Sequence, residues 1–540
     1  MKLTFCLAIG SLAAQGAGSS DCAPCHRRIY NNYTLTPMAA SSGKVGSGPI
    51  RESFERSRFT HGKSAIEYRV RSGKSGYSFE FGSTRDGKLR GEKRLSYFVG
   101  SGAVARSYLI DAGSFLFEAP VAYYTQSLKW DLAPGYDQYT SLYLTRPILP
   151  GCLSCHASFL DIVPRTQNSY ADPPFREGGV ACERCHGPGE AHIARMRSGA
   201  MDAGPGIVNP SKLSPDRRDS VCSQCHLSGD VRVMRPGRDW SSFRPGERLS
   251  DSMTFFVRAG GSPGMKVTSH VENLAESACK VAAGDRMWCG SCHDAHSMPK
   301  AGERAAWFRQ KCLRCHQIDQ CKETTARRKG DDCTGCHMPR NTVVDAQHVV
   351  YTDHSIPRRP RSPAATPREN GDLVPFGEGG ATARDLALAY AITAQREDGA
   401  GYRERVLPLL EKTARENPED AEVLTYLAEL YRNTSRPELA IPLYERAMRL
   451  DDAQVTAFVG LGAIRMERGE HAEAIRLWTD ALGKNSGLQL VRLNLAIAQW
   501  RTGDTPSALS SLEKAVELNP AFTPASGLLL RLRQTPRRPQ

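Results

Sequence analysis

The 540-residue sequence lacks any apolar stretch of the about 20 residues that a helix needs to cross a bilayer. It begins with Lys2, a short apolar run from Leu3 to Ala14, and small residues up to Ser20. This order is typical of a secretory signal peptide over residues 1–20, although a buried first strand is an alternative. We therefore expect a periplasmic or otherwise exported protein with no transmembrane segment in the mature chain.

Acidic residues are fewer than basic ones, 58 against 71, which gives a formal net charge of +13. Residues 371–540 carry −2, so residues 1–370 carry the remaining +15. Nucleic-acid surfaces usually set aromatic side chains among their basic residues, and the sequence has no such patch. We therefore expect no nucleic-acid partner, and the positive charge must have another cause.

Histidine is scarce, with 14 residues, yet half of these directly follow a Cys-x-x-Cys pair. The seven pentapeptides are CAPCH, CLSCH, CERCH, CSQCH, CGSCH, CLRCH and CTGCH. Their cysteines are Cys22, Cys25, Cys152, Cys155, Cys182, Cys185, Cys222, Cys225, Cys289, Cys292, Cys312, Cys315, Cys333 and Cys336, and their histidines are His26, His156, His186, His226, His293, His316 and His337.

This pentapeptide is the attachment signature of c-type haem, in which two thioether bonds hold the porphyrin and the imidazole is the proximal iron ligand. A zinc site would need the pairs grouped into sets of four ligands and leaves the adjacent histidine unexplained. A redox dithiol does not need seven copies. The pattern predicts seven c-type haems, whose fourteen propionate groups account for the positive charge of residues 1–370.

Six further histidines in this region are candidates for the second, distal iron ligand: His61, His192, His270, His296, His348 and His354. The alternative for each of these histidines is an ordinary polar or surface residue that does not bind iron. Six histidines for seven irons leave one haem that takes another ligand, such as Met38 or Met265, or stays open. Iron with two ligands only exchanges electrons, whereas open iron binds small molecules. His192 and His296 lie too close in sequence to the preceding pentapeptide to bind its own iron, so we expect each to bind a neighbouring haem.

Two cysteines, Cys279 and Cys321, remain once Cys6 is assigned to the signal peptide. An even remainder in an exported protein suggests a disulfide. Two separate buried thiols are the alternative.

Between the first two pentapeptides the chain is rich in strand-forming residues and turns. Residues 65–125 are predicted to form a small antiparallel sheet with a hairpin turn at Asp86 and Gly87. We expect its aromatic residues to form core rather than a catalytic site. From Cys152 to His354 the close spacing of six pentapeptides allows only short helices and loops.

Residues 355–370 are rich in proline and arginine and are predicted to be a linker. Beyond them small residues recur every 34 positions: Ala440, Ala474 and Ala508, and again Ala447, Ala481 and Ala515. This period is typical of tetratricopeptide (TPR) repeats, in which small residues let paired helices approach. Residues 371–540 are thus predicted to be an α-solenoid, which either packs only on the rest of the chain or docks a redox partner protein.

Several stretches resemble the multihaem family named for the tetrahaem cytochrome that accepts electrons from hydroxylamine oxidoreductase. They are VGSGAVARSYL, PVAYYTQSLKWDLAPGY, GVACERCHGPGEAH, VCSQCHLSGD, WCGSCHDAH and DCTGCHMPR. The resemblance is to exported relatives fused to TPR repeats, and it implies mostly bis-histidine haems, with His192 and His296 as distal ligands. No C-x-x-C-K occurs, which counts against ammonia-forming nitrite reduction.

The predicted fold is mainly α with a small β insertion: a haem-packed cytochrome c domain over residues 21–354, followed by the TPR solenoid. The leading functional hypothesis is an electron-transfer protein. A reductase or oxidase that acts on a small nitrogen or sulfur compound at one open haem is the alternative, and a scaffold with structural haems ranks third.

Overall fold

The computed structural model describes residues 16–49, 51–74, 76–199, 206–262, 264–323, 332–358, 371–377, 379–397 and 400–534. Within these ranges every helix is too short or too polar to span a bilayer. The chain is mainly helical with a β-rich N-terminal part, which confirms the predicted fold class.

The β-rich part consists of two antiparallel sheets and is larger than the predicted 65–125 segment. One sheet contains β2 (Arg58–His61), β3 (Ile66–Gly73), β4 (Gly76–Ser83) and β5 (Arg90–Leu95). The other contains β1 (Ser42–Lys44), β6 (Tyr97–Val99), β7 (Ala105–Ala112), β8 (Phe115–Tyr124) and β9 (Lys129–Leu132), in the order β1-β6-β7-β8-β9. Gly87, at a φ of +65°, lies in the turn between β4 and β5.

Alternating apolar residues explain why these strands form sheets. In β3 the side chains of Ile66, Tyr68 and Val70 are buried, whereas the residues between them are only partly buried. This alternation is typical of a strand with one face in the core. The inward faces share one core in which Trp130 packs against Tyr108 and Tyr123. The aromatic residues of this region are core residues, as predicted.

The part that carries the pentapeptides has short elements joined by loops. Its helices are α1 (Ser19–Tyr33), α2 (Pro150–Ser154), α3 (Glu183–His186), α4 (Glu190–Ser198), α5 (Pro215–His226), α6 (His270–Ala275), α7 (Ala278–Ala283), α8 (Cys289–Cys292), α9 (Arg304–Cys312) and α10 (Cys333–His337). Its strands are β10 (Ala157–Ile162), β11 (Tyr170–Gly178), β12 (Val231–Met234), β13 (Met253–Arg258), β14 (Arg340–Thr342) and β15 (Val350–Thr352).

The C-terminal part begins with a short strand and continues as antiparallel helix pairs. The strand is β16 (Leu373–Pro375), and the helices are α11 (Ala383–Arg396), α12 (Ala400–Glu416), α13 (Ala421–Asn433), α14 (Pro437–Leu450), α15 (Val455–Glu467), α16 (His471–Lys484), α17 (Gln489–Arg501), α18 (Thr505–Leu518) and α19 (Thr523–Gln534). Side-chain caps begin several helices; Asp420, for example, accepts a hydrogen bond from the backbone N–H of Val423.

The 34-residue period matches the helix contacts. All six alanines of the two repeated positions are at most 1% exposed. The large residues at the intervening position, Tyr444, Trp478 and Leu512, are equally buried and fill the space between helices. A Cβ atom at Gly462 would lie 2.5 Å from Nε1 of Trp478, so a larger residue there would force α15 and α16 apart.

The turns between repeats pack against the β-rich part of the same chain. The side-chain amide of Asn485 donates a hydrogen bond to Gln167 (2.9 Å), and that of Asn519, 34 residues later, donates to the backbone carbonyl of Leu142 (3.2 Å). Leu518 belongs to the core of the two sheets. The solenoid is therefore joined to the N-terminal part by specific contacts as well as by the linker.

Two structural features lie across predicted boundaries. β16 pairs with β13, so residues 373–375, which fall within the predicted repeat region 371–540, extend a sheet of the pentapeptide region. The predicted signal peptide over 1–20 overlaps the fold, because Ala17 and Ser19 are each 7% exposed and α1 begins at Ser19. Residues 1–15 and most of the predicted linker, 359–370, lie outside the described residues.

Candidate haem-binding site

The pentapeptides surround one cavity of about 4430 Å³. All seven pentapeptide histidines and most of the pentapeptide cysteines line it. In most pentapeptides the two cysteines lie one helical turn apart, as in α1, α5, α8 and α10, so that both thiols are on one helix face. This arrangement suits two thioether bonds to one porphyrin edge.

Four pentapeptide histidines have a second histidine close to their ring. His192 lies opposite His26, with ring centroids 6.2 Å apart and planes 18° apart. The other pairs are His186 with His296 (5.9 Å, 11°), His293 with His354 (6.3 Å, 28°) and His226 with His270 (5.1 Å, 84°). His270 is also near His354, at 4.7 Å.

These separations suit two imidazoles that share one metal ion. A metal–imidazole bond is about 2 Å long and the ring centre lies about 1 Å beyond the nitrogen, so centroids on opposite sides of a metal are about 6 Å apart. The first three pairs have this spacing. The centroids of His226 and His270 are about 1 Å closer, so these two rings would have to move apart to bind one metal ion.

Hydrogen bonds orient several of these rings. Nδ1 of His186 contacts the backbone carbonyl of Val208 (2.8 Å), Nδ1 of His337 that of Pro357 (3.1 Å), and Nδ1 of His354 that of Thr352 (3.0 Å). A ring that donates through Nδ1 keeps Nε2 as the acceptor that binds a metal. Burial lowers the pKa of His156 and His293 to about 4 and that of His270 to about 3, so these rings are neutral at pH 7, the form that ligates iron.

Two of the six candidate distal histidines lie elsewhere. Nε2 of His348 contacts Asp131 at 2.9 Å, which engages the nitrogen that a metal would need. Nδ1 of His61 contacts Ser64 at 2.8 Å, at the end of β2. Neither histidine lines the cavity, because the β-sheet hydrogen bonds and the ion pair hold both on the β-rich side. The structure brings neither close to a pentapeptide histidine.

Three pentapeptide histidines make no ring contact with a second histidine in the described part of the chain: His156, His316 and His337. Met38 lines the cavity in the segment packed on the CLSCH pentapeptide, where Ser41 donates a hydrogen bond to the backbone carbonyl of His156 (2.9 Å). Met265 instead packs against the β-sheet core.

Cys279 and Cys321 both line the cavity as unbonded thiols. Cys279 lies on α7, near Cys292 and Cys312, whereas Cys321 lies near Cys333. The structure does not join the two as the predicted disulfide, because they belong to segments that pack beside different pentapeptides.

Thiols of different pentapeptides meet inside the cavity. A hydrogen bond from Cys225 lowers the pKa of the Cys155 thiol to about 6, and one from Cys22 does the same for Cys182. Cys222 likewise donates to Cys289. The first pentapeptide is thus beside the third, the second beside the fourth and the fourth beside the fifth, an order that the sequence does not reveal.

The charge of the cavity wall suits anionic cofactors. Twelve arginines and lysines line it against seven aspartates and glutamates. Outside the wall, near Cys152, the Arg146 guanidinium lies 2.9 Å from the Glu118 carboxylate. In the described residues, no group of three or more His, Cys, Asp or Glu side chains is arranged to hold a bare metal ion. The residues present, paired cysteines with an adjacent histidine and an excess of basic side chains, fit covalently attached haem.

Comparison with known proteins agrees with both parts of the chain. A family model described as cytochrome c554 and c-prime matches residues 132–187, which include two pentapeptides. A model described as tetratricopeptide repeat matches residues 385–455 and 456–523. One segment of the chain is therefore similar to a c-type cytochrome family, which implies c-type haem, and the C-terminal part contains TPR repeats, which generally mediate protein–protein interaction.

Solved structures are similar to about a quarter of the chain. A crystal structure of MamA is 21% identical, with 25% of this chain and 78% of that chain covered and a TM-score of 0.24. YrrB, described as a TPR protein with an unusual peptide-binding site, is 18% identical, with 27% and 82% covered and a TM-score of 0.22. No curated protein matches the sequence.

Proposed function

We propose that this protein is an exported c-type cytochrome that transfers electrons through seven covalently bound haems. The observation that carries the proposal is that all seven C-x-x-C-H histidines line one cavity, where four of them face a second histidine. The bound haems would supply iron centres that each gain and lose one electron. The quoted likeness to multihaem relatives of the tetrahaem electron acceptor supports the same reading.

The chain's own residues have separate tasks in this proposal. Pentapeptide cysteines anchor the porphyrins, and carbonyls such as those of Val208 and Pro357 orient the proximal imidazoles. The excess of basic residues in the wall offsets propionate charge. The proximity of Cys22 to Cys182 would place two neighbouring attachment sites side by side.

Haem stoichiometry tests the proposal directly. A pyridine haemochrome assay and the intact mass of the purified protein should both give seven haems per chain. Replacing Cys182 and Cys185 together by alanine should give six, whereas replacing Cys279 and Cys321 by alanine should leave seven. Bound zinc, or markedly fewer than seven haems in the parent protein, would rule the proposal out. Recovery of the mature chain in a periplasmic extract tests export.

A second candidate function is reduction or oxidation of a small nitrogen or sulfur compound at an incompletely ligated haem. His156, His316 and His337 favour it, because they make no ring contact with a second histidine among the described residues. Low-temperature electron paramagnetic resonance separates the two functions. A high-spin ferric signal that changes with nitrite, hydroxylamine or cyanide supports this candidate, whereas wholly low-spin iron excludes it.

We further propose that helices α17 and α19 dock an acidic redox protein. Neither helix contains an acidic residue, and together they carry four arginines: Arg492, Arg501, Arg531 and Arg533. Arg492 is half-buried and Arg533 pairs with Glu513 of α18 (2.7 Å), whereas Arg501 and Arg531 are exposed. Leu490 (66% exposed) and Trp500 (46% exposed) lie on the same α17 stripe as Leu493 and Ile497. Exposed apolar side chains among arginines suit a partner with apolar and acidic contact residues.

An acidic single-haem cytochrome c is a suitable probe for this surface. Trp500→Ala should slow electron transfer between the probe and the protein, because it removes an exposed apolar contact residue. Leu439→Ala, which removes an equally exposed residue (48%) from α14, is the matched control and should leave the rate unchanged. Equal rates for both variants would disprove docking at α17.

A further inference from the structure

Residues 16–19 are built into the fold, at the point where the predicted signal peptide must end. Ala17 is 7% exposed. The backbone N–H of Ser19 donates to Glu177 (2.9 Å), and the Ser19 hydroxyl accepts from the backbone N–H of Cys182 (3.1 Å). These bonds attach the start of α1, which carries the first pentapeptide, to the third pentapeptide.

Glu183 holds the residue before this attachment. Its carboxylate accepts hydrogen bonds from the backbone N–H of Ala17 and from that of Gly189, the latter at 2.8 Å. A side chain at Gly16 would collide with this carboxylate. The backbone nitrogen of Ala17 therefore lies against a carboxylate oxygen of Glu183. Only a small residue at position 16, such as Gly16, leaves room for this contact.

The sequence supplies an independent observation at the same bond. Ala14-Gln15-Gly16 places small residues at the first and third positions before Ala17, the A-x-A-like pattern that signal peptidases cleave. The apolar run ends at Ala14, as expected for a signal peptide that is cut shortly afterwards.

We propose that the exported chain is cut between Gly16 and Ala17 and that the carboxylate of Glu183 binds the new α-ammonium group of Ala17. The inference rests on the export proposed above. Hydrolysis breaks the Gly16–Ala17 amide bond before folding: water gives Gly16 its carboxylate oxygen, and the Ala17 nitrogen is protonated. The ammonium replaces the amide N–H at Glu183 with a charge-assisted bond. The carboxylate of Glu183 also offsets the unfavourable position of this ammonium group, which lies beside the positive N-terminal end of α1.

Two measurements test the inference on the exported holoprotein. N-terminal sequencing and intact mass should identify Ala17 as the first residue. Any other cut site, or a chain that retains Met1, disproves the inference, whereas export is tested separately by recovery of the chain in a periplasmic extract.

The second measurement is the rate at which an N-hydroxysuccinimide ester acylates the α-amino group. The group should react more slowly in the native than in the denatured protein. In Glu183→Gln the native rate should rise about tenfold, because a hydrogen bond to a charged group protects by that factor or more. Glu177→Gln, which affects only the Ser19 amide, is the control and should keep the slow rate. Equal native and denatured rates in the parent protein would overturn the binding role of Glu183 even where a variant fails to fold.

Discussion

The imidazole rings of His186 and His296 lie parallel within 11°, with centroids 5.9 Å apart. His186 belongs to the third pentapeptide, whereas His296 follows the fifth. The loop after one attachment site thus brings its histidine to another site. His192, which follows the third pentapeptide, faces His26 of the first in the same way. These exchanges tie sequentially distant attachment sites into one cavity.

His296→Ala should convert one low-spin haem to high spin, because the iron bound by His186 loses the imidazole opposite it. Electron paramagnetic resonance and the near-infrared spectrum measure this change. His61→Ala is the matched control, since His61 contacts Ser64 outside the cavity, and its spectrum should equal that of the parent. An unchanged low-spin spectrum in His296→Ala would contradict the pairing.

Asn485→Ala should lower the free energy of unfolding by about 1–2 kcal/mol, because its amide bonds Gln167 and its carbonyl oxygen accepts from the backbone of Gly487. Thermal unfolding followed by circular dichroism measures the loss. Asn433→Ala, at the exposed end of α13, should change stability little.

Removal of residues 371–540 should destabilise the β-rich part, since it uncovers the core contact of Leu518. A truncated protein with parental stability would show that the interface is not needed.

Glu118 gives the protein a pH dependence of known sign. Burial raises the pKa of its carboxyl to about 7, although Arg146 opposes the shift. Between pH 4.5 and 7 the folded state therefore keeps the proton while the unfolded state releases it. The free energy of unfolding falls as pH rises through this window. Above pH 7 the ionised carboxyl lowers the free energy of unfolding by up to about 3 kcal/mol.

Glu118→Gln mimics the protonated form. It should match the parent near pH 4.5 and exceed it in unfolding free energy at pH 8, as measured by denaturant titration at both values. Glu80→Gln, which affects an exposed ion pair with Arg71 (2.7 Å), should show less than about 1 kcal/mol of change at either pH. A Glu118→Gln variant less stable than the parent at pH 8 would contradict the assignment.

Gly462→Ala should destabilise the repeats by about 1–3 kcal/mol, because the added methyl group meets the Trp478 ring. Gly483→Ala is a matched helical control: a Cβ atom there has no neighbour within 4 Å, so it should stabilise α16 by up to about 1 kcal/mol. Hydrogen exchange of α15 and α16 measures both effects locally. Similar effects of the two substitutions would exclude close helix contact at Gly462.

Much of the fold could be predicted from local sequence signals. Strand-forming residues and turns indicated the β-rich part, and the 34-residue period indicated Ala440, Ala474 and Ala508 as helix contacts, because both signals depend on local geometry. The extent of the sheets and the pairing of β16 with β13 could not be predicted, since strand pairing depends on distant partners. The burial of Ala17 and Ser19, which lie within the predicted signal peptide, likewise depends on tertiary contacts that the sequence does not reveal.

By itself, the sequence determined the kind of site, because thioether attachment requires two cysteines and a histidine at fixed local spacing. It also determined that six histidines remained as distal candidates. Only the tertiary structure decided that four of them face a pentapeptide histidine, while His61 and His348 contact Ser64 and Asp131 instead. Spacing along the chain fixes which groups one helical turn presents together, whereas the partner across a cavity is fixed by packing between segments that the chain separates.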